Sequence, residues 1–131
     1  MEKPIFIHAR PGSNVLGLVS TVDLATRIAK IAKDFGLAVR NSDQAETVVR
    51  WAREKIPMFV ILDWDGCEAE AFKVLKEFAA DADLKKVPRV GCLSHQKFNL
   101  KRDAEAAGCD RVYFKTEFLR DLKDLFIRYA R

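Results

Sequence analysis

The sequence predicts an α/β domain with a doubly wound, five-stranded parallel sheet and helices on both of its faces. Short apolar, β-branched runs alternate with segments of helical period along the whole chain. One run, "MFVILD" (58–63), is continuously apolar up to its final acid, which is typical of a central strand covered on both faces. With 131 residues, of which 49% are hydrophobic and 32% charged, the chain has the size and composition of one globular domain.

The first half of the chain predicts two strand–helix units. "VLGLVS" (15–20) is apolar enough for a buried strand, and the segment after it repeats apolar residues at helical spacing until Gly36, a typical C-cap. "LAVR" (37–40) predicts the second strand. In "SDQAETVVRWAREK", which predicts the second helix, Ser42 or Asp43 could begin a capping box.

The second half predicts three more units. "MFVILD" is the third strand, and "EAEAFKVLKEFAADADL" follows it as a helix with one apolar face. "VPRVGCLS" (87–94) predicts the fourth strand and "FNLKRDAEAAG" a weaker helix that ends at Gly108. "RVYF" (111–114) is the fifth strand, and "TEFLRDLKDLFIRYAR" predicts a last helix with Thr116 as its N-cap.

Residues 1–13 are expected to be an N-terminal extension and residues 14–131 the domain. "PIFIH" (4–8) could instead be the first strand, but residues 14–35 would then form one long helix interrupted by Gly17 and by β-branched residues, which is a poor helix. The extension ends in the turn "RPG". It could add a strand to a sheet edge, here or on a partner, or it could be a loosely ordered tail.

The composition disfavours several classes of function. The net charge of +4 is spread along the chain rather than concentrated on one element, which argues against nucleic-acid binding. Three cysteines without a C-x-x-C pair indicate a reducing compartment. Cys92 and Cys109 are expected to be buried, which leaves Cys67 as the only candidate for a reactive thiol. His8 and His95 are too few for a metal centre. No apolar run suits a membrane span and no signal peptide is visible, so the cytoplasm is expected.

In parallel α/β sheets, functional residues gather where the strands end at their carboxyl termini. We call this edge the rim. The segments that the predicted topology brings to the rim are residues 20–23, 63–66, 94–95 and 115–116.

Three residues carry a family resemblance. Asp63 ends the third strand, Ser94 ends the fourth, and Lys115 follows the fifth after "AAGCDRVYF". Over residues 15 to 131 this ordered set resembles the receiver domain of two-component response regulators, the CheY-like variant of the flavodoxin-like fold. The resemblance implies that Asp63 stands where receivers accept a phosphoryl group. It also implies that Ser94 and Lys115 stand where a hydroxyl and an ammonium contact that group as switch residues.

The sequence departs from the family after its first strand. Receivers carry two adjacent acids there, which hold the Mg²⁺ needed for phosphoryl transfer, whereas "LVSTVD" places Ser20 and Thr21 at that point. Hydroxyls are poor substitutes because Mg²⁺ prefers carboxylates and water. A metal site rebuilt from Asp23, Asp63 and Asp65 is the alternative. We therefore expect a degenerate pseudo-receiver without a cofactor, with Mg²⁺ required only if Asp63 is phosphorylated after all.

Other rim residues allow more than one interpretation. Trp64 could anchor a partner or cover the top of the sheet, while Asp65 and His95 could also contact a partner. Thr116 could cap the last helix, or it could help that helix to cradle an anion. A hydrolytic triad of Ser94, His95 and Asp63 is disfavoured, because neighbours on an extended chain point to opposite sides.

The sequence therefore predicts a stand-alone, receiver-like signalling module that acts by protein–protein interaction and is not an enzyme. Asp63 is expected to pair with Lys115. The expected partner is a kinase, a downstream signalling protein or a second copy of the chain, bound at the fourth helix, fifth strand and last helix; neither nucleic acid nor a membrane is expected. One alternative is an ordinary receiver that a kinase phosphorylates on Asp63. Another is a small-ligand or anion-binding module that uses the rim amides and Lys115, although the chain lacks a glycine-rich phosphate loop.

Overall fold

The computed structural model describes residues 14–130, so the predicted extension over residues 1–13 lies outside the described part. Five strands form one sheet, as the sequence predicts, and five α-helices connect and follow them. Two short 3₁₀ turns, Leu84–Lys86 and His95–Lys97, precede β4 and α4. In chain order the elements are β1 (Asn14–Leu18), α1 (Val22–Asp34), β2 (Ala38–Ser42), α2 (Ala45–Glu54), β3 (Phe59–Asp63), α3 (Glu68–Ala80), β4 (Arg89–Leu93), α4 (Phe98–Ala106), β5 (Arg111–Phe114) and α5 (Lys115–Ala130).

The sheet is parallel throughout, with the strand order β2-β1-β3-β4-β5. The chain steps outward from β1 to β2 and then returns past β1 to β3, so the strand order reverses at β1. In register, Leu18 lies beside Leu62, and Asp63 lies beside Cys92. The carboxyl ends of the three central strands therefore meet at one place, next to the reversal where ligands bind in such sheets.

Apolar side chains cover both faces of the sheet. The alternation along β1 sends Leu16 and Leu18 into a cluster with α2, α3 and α4, and Val15 into a cluster with α1 and α5. The central strand β3 is buried along its whole length. This two-sided burial explains why its sequence is apolar without a polar alternation.

The helix ends confirm one kind of prediction and correct another. Gly36 and Gly108 have positive φ angles of 71° and 112°, as predicted for residues that follow a helix C-terminus. The predictions of the N-cap residues of α2 and α5 were wrong. Ala45 N–H at the start of α2 donates to Glu70 Oε1 of α3 at 2.8 Å, and Thr116 lies inside the first turn of α5 rather than before it. A contact from α3 thus replaces the cap predicted from Ser42 or Asp43.

Among residues 14–130, no helix is long and apolar enough to cross a membrane.

Candidate functional site

Asp63 is the last residue of β3 and is completely buried. Its Oδ1 accepts a hydrogen bond from the backbone N–H of Asp65 at 3.1 Å. Its Oδ2 is also buried and has no hydrogen-bond partner among the described residues. Burial raises the pKa of Asp63, and this effect outweighs the opposing hydrogen bond from Asp65 and the charge of Lys115.

Lys115 opens α5 directly after β5, and its ammonium group reaches back over the rim. Lys115 Nζ lies 3.7 Å from Asp63 Oδ1 but only 2.8 Å from Asp65 Oδ2. The two carboxylates therefore share one cation, and the shorter contact goes to Asp65 rather than to the expected partner, Asp63. Burial acts to lower the pKa of Lys115, but the hydrogen bond to Asp65 and the charge of Asp63 raise it overall.

Asp65 connects three elements of the rim. One carboxylate oxygen contacts Lys115, and the other, Oδ1, accepts the backbone N–H of Ser94 at 2.9 Å. Burial alone would raise the pKa of Asp65, but the hydrogen bonds from Lys115 and Ser94 outweigh it and lower the pKa. The carboxylate is thus held ionised, and it ties the loop after β3 to the ends of β4 and β5.

Lys97 is a second cation at the rim, and the sequence interpretation missed it. Its Nζ lies 3.3 Å from the backbone oxygen of Asp65 and forms an ion pair with Glu68 at the start of α3. The only sequence signal was its position in the turn after the fourth strand, where many surface lysines also occur.

Trp64 is fully buried, which decides between its two interpretations. Its ring packs edge-on against Phe72 with 4.7 Å between ring centroids. Gly91 in β4 makes room for it, because a Cβ at that position would lie 2.5 Å from Trp64 Nε1. Trp64 therefore covers the sheet and is not an exposed partner anchor.

Comparisons with known proteins bear on the fold. No protein-family model and no curated protein matches the chain. Among solved structures, a response regulator from Hahella chejuensis matches with a TM-score of 0.78 at 18% identity, covering 90% of this chain and 95% of that one. The fold is that of a response-regulator receiver domain.

Two further structures support this assignment of the fold. The receiver domain of a sensor histidine kinase from Pseudomonas aeruginosa PAO1, which has a magnesium ion coordinated in its active-site cleft, matches with a TM-score of 0.77 at 16% identity, covering 91% of this chain and 98% of that one. The chemotaxis response regulator CheY4 of Vibrio cholerae matches with a TM-score of 0.75 at 15% identity, covering 89% and 98%. At these identities the likeness establishes the receiver fold and leaves the chemistry to the residues.

The rim of this receiver fold does not fit a divalent cation. Within residues 14–130, no group of three or more His, Cys, Asp or Glu side chains is placed to hold a metal ion. Of the three acids in the alternative metal site, Asp23 has a side chain that is 76% exposed and pairs with Arg27 at 3.4 Å. Both oxygens of Asp65 are engaged by Lys115 and Ser94.

The place after β1 where receivers carry their acids is filled by neutral contacts. Val19 is buried, and Asn41 of β2 binds both its backbone groups: Val19 N–H donates to Asn41 Oδ1 at 3.0 Å, and Asn41 Nδ2 donates to Val19 O at 2.8 Å. The next side chain, Ser20, lies so close to Gly66 that a Cβ there would meet Ser20 Oγ at 2.3 Å. Sequence reasoning overlooked Asn41, since an asparagine in a predicted strand carries no signal for this contact.

The surroundings of Cys67 disfavour a reactive thiol. Cys67 is buried, and burial, as the largest effect, raises the pKa of its thiol. Burial also raises the pKa of Cys109 to about 12. Cys92 is buried as well, and none of the three cysteines forms a disulfide.

An aromatic and basic surface borders the rim on the side of β5. The exposed ring of His95 stacks on Phe114 with 4.0 Å between centroids and 8° between planes. Lys101 Nζ lies 5.6 Å from the Phe114 ring centroid, and Phe98 is 61% exposed at the start of α4. We call this surface, formed by α4, β5 and α5, the α4–β5–α5 face.

Proposed function

We propose that this receiver-fold domain is a signalling module that acts by binding another protein, without Mg²⁺-dependent phosphoryl transfer to Asp63. The observation that carries this proposal is the engagement of Lys115 by Asp65 within the rim. Lys115 and both carboxylate oxygens of Asp65 are engaged with each other and with the Ser94 amide.

Phosphoryl transfer to a carboxylate makes two demands. The nucleophile must reach its donor, and the charge on the transferred group must be neutralised. Asp63 is fully buried, and the ammonium of Lys115 already pairs with Asp65. Where receivers carry the acids that hold a cation, this chain has the hydroxyls of Ser20 and Thr21, and beside them Asn41 binds the backbone of Val19. These contacts support a role for Asp63 as a retained structural carboxylate.

The α4–β5–α5 face is the proposed contact surface for a kinase, a downstream signalling protein or a second copy of the chain. Exposed aromatic groups flanked by cations are typical of residues that dominate binding at protein interfaces. Phe98 and the His95–Phe114 stack supply the rings, and Lys101 supplies a cation. The three buried thiols suit a reducing compartment, so we propose the cytoplasm as its location.

The absence of phosphoryl chemistry can be tested by fluorescence. Trp64 packs next to Asp63, and replacing the second tryptophan by Trp51→Phe leaves Trp64 as the only indole. We expect no saturable change in Trp64 emission when Mg²⁺ and beryllofluoride are added together. A saturable change that needs Mg²⁺ and disappears in Asp63→Asn would overturn the proposal in favour of an ordinary receiver phosphorylated on Asp63.

The contact surface can be tested by lysine cross-linking and mass spectrometry in cells that express the chain. We expect cross-links to partner proteins at Lys97 and Lys101, and fewer at Lys30 and Lys33 of α1, which is not part of the face. Phe98→Ser should remove these cross-links. The matched control is Val22→Ser, which also removes an exposed apolar side chain but lies outside the face. Equal losses in both variants would contradict the assigned surface.

A further inference from the structure

We propose that the Asp65 carboxylate is the built-in anionic ligand of the rim, occupying the position between Lys115 and the Ser94 amide that a phosphoryl group or free phosphate would otherwise take. The inference deepens the proposed function, on which it rests, because it names what holds the rim in place of an external ligand. It makes Asp65 a positioning residue rather than a catalytic one.

Two donors of different kinds converge on this carboxylate. Lys115 Nζ lies 2.8 Å from Oδ2, and the Ser94 backbone N lies 2.9 Å from Oδ1. An ammonium and a backbone amide directed at separate oxygens of one anion are the groups with which proteins bind phosphate and carboxylate ligands. The Ser94 amide has a single N–H, which Asp65 already accepts, so an external anion would have to displace Asp65 to bind between this amide and Lys115.

The backbone around Asp65 fixes the side chain in this position. Its own N–H donates to Asp63 Oδ1 at 3.1 Å, and its carbonyl oxygen lies 3.3 Å from Lys97 Nζ. The side chain is 21% exposed, so its charged hydrogen bonds are partly shielded from water and are stronger than they would be on the open surface. Asp65 is therefore held by one neighbour along the chain, Asp63, and by three donors across the rim, which are Lys97, Lys115 and the Ser94 amide.

The position of Asp65 also sets the loop that leads to the α4–β5–α5 face. Ser94 is followed directly by the turn His95–Lys97 and then by Phe98, which opens α4. By holding the Ser94 amide, Asp65 holds the start of the segment that presents His95 and Phe98.

Chemical rescue tests the inference. In Asp65→Ala, the Ser94 amide loses its acceptor, and its hydrogen exchange should become roughly tenfold or more faster. Titration with sodium acetate, and separately with sodium phosphate, at constant ionic strength should return the Ser94 amide resonance toward its wild-type position. The same salts should leave the wild-type Ser94 resonance unchanged. Adding Lys115→Met to Asp65→Ala should abolish the rescue, and a purely structural role for Asp65 predicts no rescue by either salt.

Two further variants keep the test decisive. Asp65→Asn retains an oxygen for the Ser94 amide, so the Ser94 resonance should stay near its wild-type position while the Lys115 side-chain resonance moves. The control Asp121→Asn removes one charge from an ion pair with Arg120, far from the rim, and should change neither resonance. Saturable phosphate binding at the wild-type Ser94 amide, or no rescue in a folded Asp65→Ala, would overturn the inference.

The experiment contains neither Mg²⁺ nor a phosphodonor, so its outcome is separate from that of the proposed function. If anion rescue succeeds while Mg²⁺ and beryllofluoride still modify Asp63, only the proposed function fails. If rescue fails while Asp63 stays unresponsive, only the role of Asp65 fails.

Discussion

The two halves of the rim bind their polar groups in different ways, one with charged side chains and the other with a neutral amide. On the side of β3, β4 and β5, the partly exposed ammonium of Lys115 contacts two carboxylates, those of Asp65 and Asp63. On the side of β1 and β2, the amide of Asn41 binds the backbone of Val19 without any charge. The charged half retains the residue types expected of a receiver, whereas the neutral half does not.

This difference shows how a fold can keep part of a site without its chemistry. In receivers the resemblance implies a cation that joins both halves of the rim. Here Asp65 pairs with Lys115 in one half and Asn41 binds Val19 in the other, and these two sets of contacts share no residue, although the halves touch where Ser20 lies against Gly66. A substitution in one half should therefore not alter the contacts of the other half. The effects of substitutions in the two halves on the free energy of unfolding should add, because sites without shared partners contribute additively to stability.

The largest effect is expected from Lys115→Met. The substitution leaves Asp63 and Asp65 without their shared cation, and we expect a loss of about 2–3 kcal/mol in the free energy of unfolding, less than for a fully buried pair because Lys115 is 31% exposed. Urea denaturation measures this loss. The control Lys123→Met removes an exposed lysine from the same helix and should have little effect. Equal losses in the two variants would mean that the charged half of the rim is not a coupled unit.

Asn41→Ala should break the neutral half. It removes two hydrogen bonds to Val19. The Val19 N–H keeps the backbone oxygen of Ser42 as an acceptor, but the carbonyl oxygen of this buried residue loses the Asn41 donor, and we expect a loss of about 1–2 kcal/mol. In the double variant with Lys115→Met, the two losses should add. A coupling energy as large as either single effect, measured in a double-mutant cycle, would show that the halves are not independent.

Asp63→Asn should stabilise the protein at neutral pH by about 1 kcal/mol. Burial raises the pKa of Asp63, so the folded state disfavours its charged form, and the neutral isostere removes that penalty. The wild type should therefore lose stability relative to the variant as pH rises from the ordinary carboxyl range through the raised pKa. Urea denaturation of both proteins across this pH range measures the difference. Destabilisation by Asp63→Asn at neutral pH would show that its pairing with Lys115 outweighs burial.

The smallest effect is expected from acidification at Asp65. The pKa of Asp65 is lowered, so its contribution to stability is complete above the ordinary carboxyl pKa and is lost as pH falls through the lowered value. The free energy of unfolding of the wild type should exceed that of Asp65→Asn at neutral pH, and this difference should shrink by about 0.5–1 kcal/mol below about pH 4. A constant difference between the two proteins across this range would contradict the lowered pKa.

The sequence predicted the strands and their polarity well because these depend on local patterns. Continuous apolar residues mark β3, and glycines mark the ends of α1 and α4 through their positive φ angles. The placement of Asp63, Ser94 and Lys115 at one edge followed from topology alone. These features need no knowledge of which side chains meet.

The remaining features depend on contacts between distant residues. The preference of Lys115 for Asp65 over Asp63 is set by the path of the loop after β3, and the burial of Trp64 depends on the missing side chain of Gly91. The amide at the start of α2 is satisfied by Glu70, 25 residues further along the chain. Such contacts leave no periodic pattern in a single sequence, so residue spacing cannot predict them.

The most direct test of the link from Asp65 to Lys115 and Ser94 is a crystal structure of the protein soaked with Mg²⁺ and beryllofluoride. The account predicts that Asp65 still bridges Lys115 Nζ and the Ser94 amide, with no ion beside Asp63. Beryllofluoride bound to Asp63, with Asp65 displaced and Mg²⁺ coordinated at the rim, would contradict it.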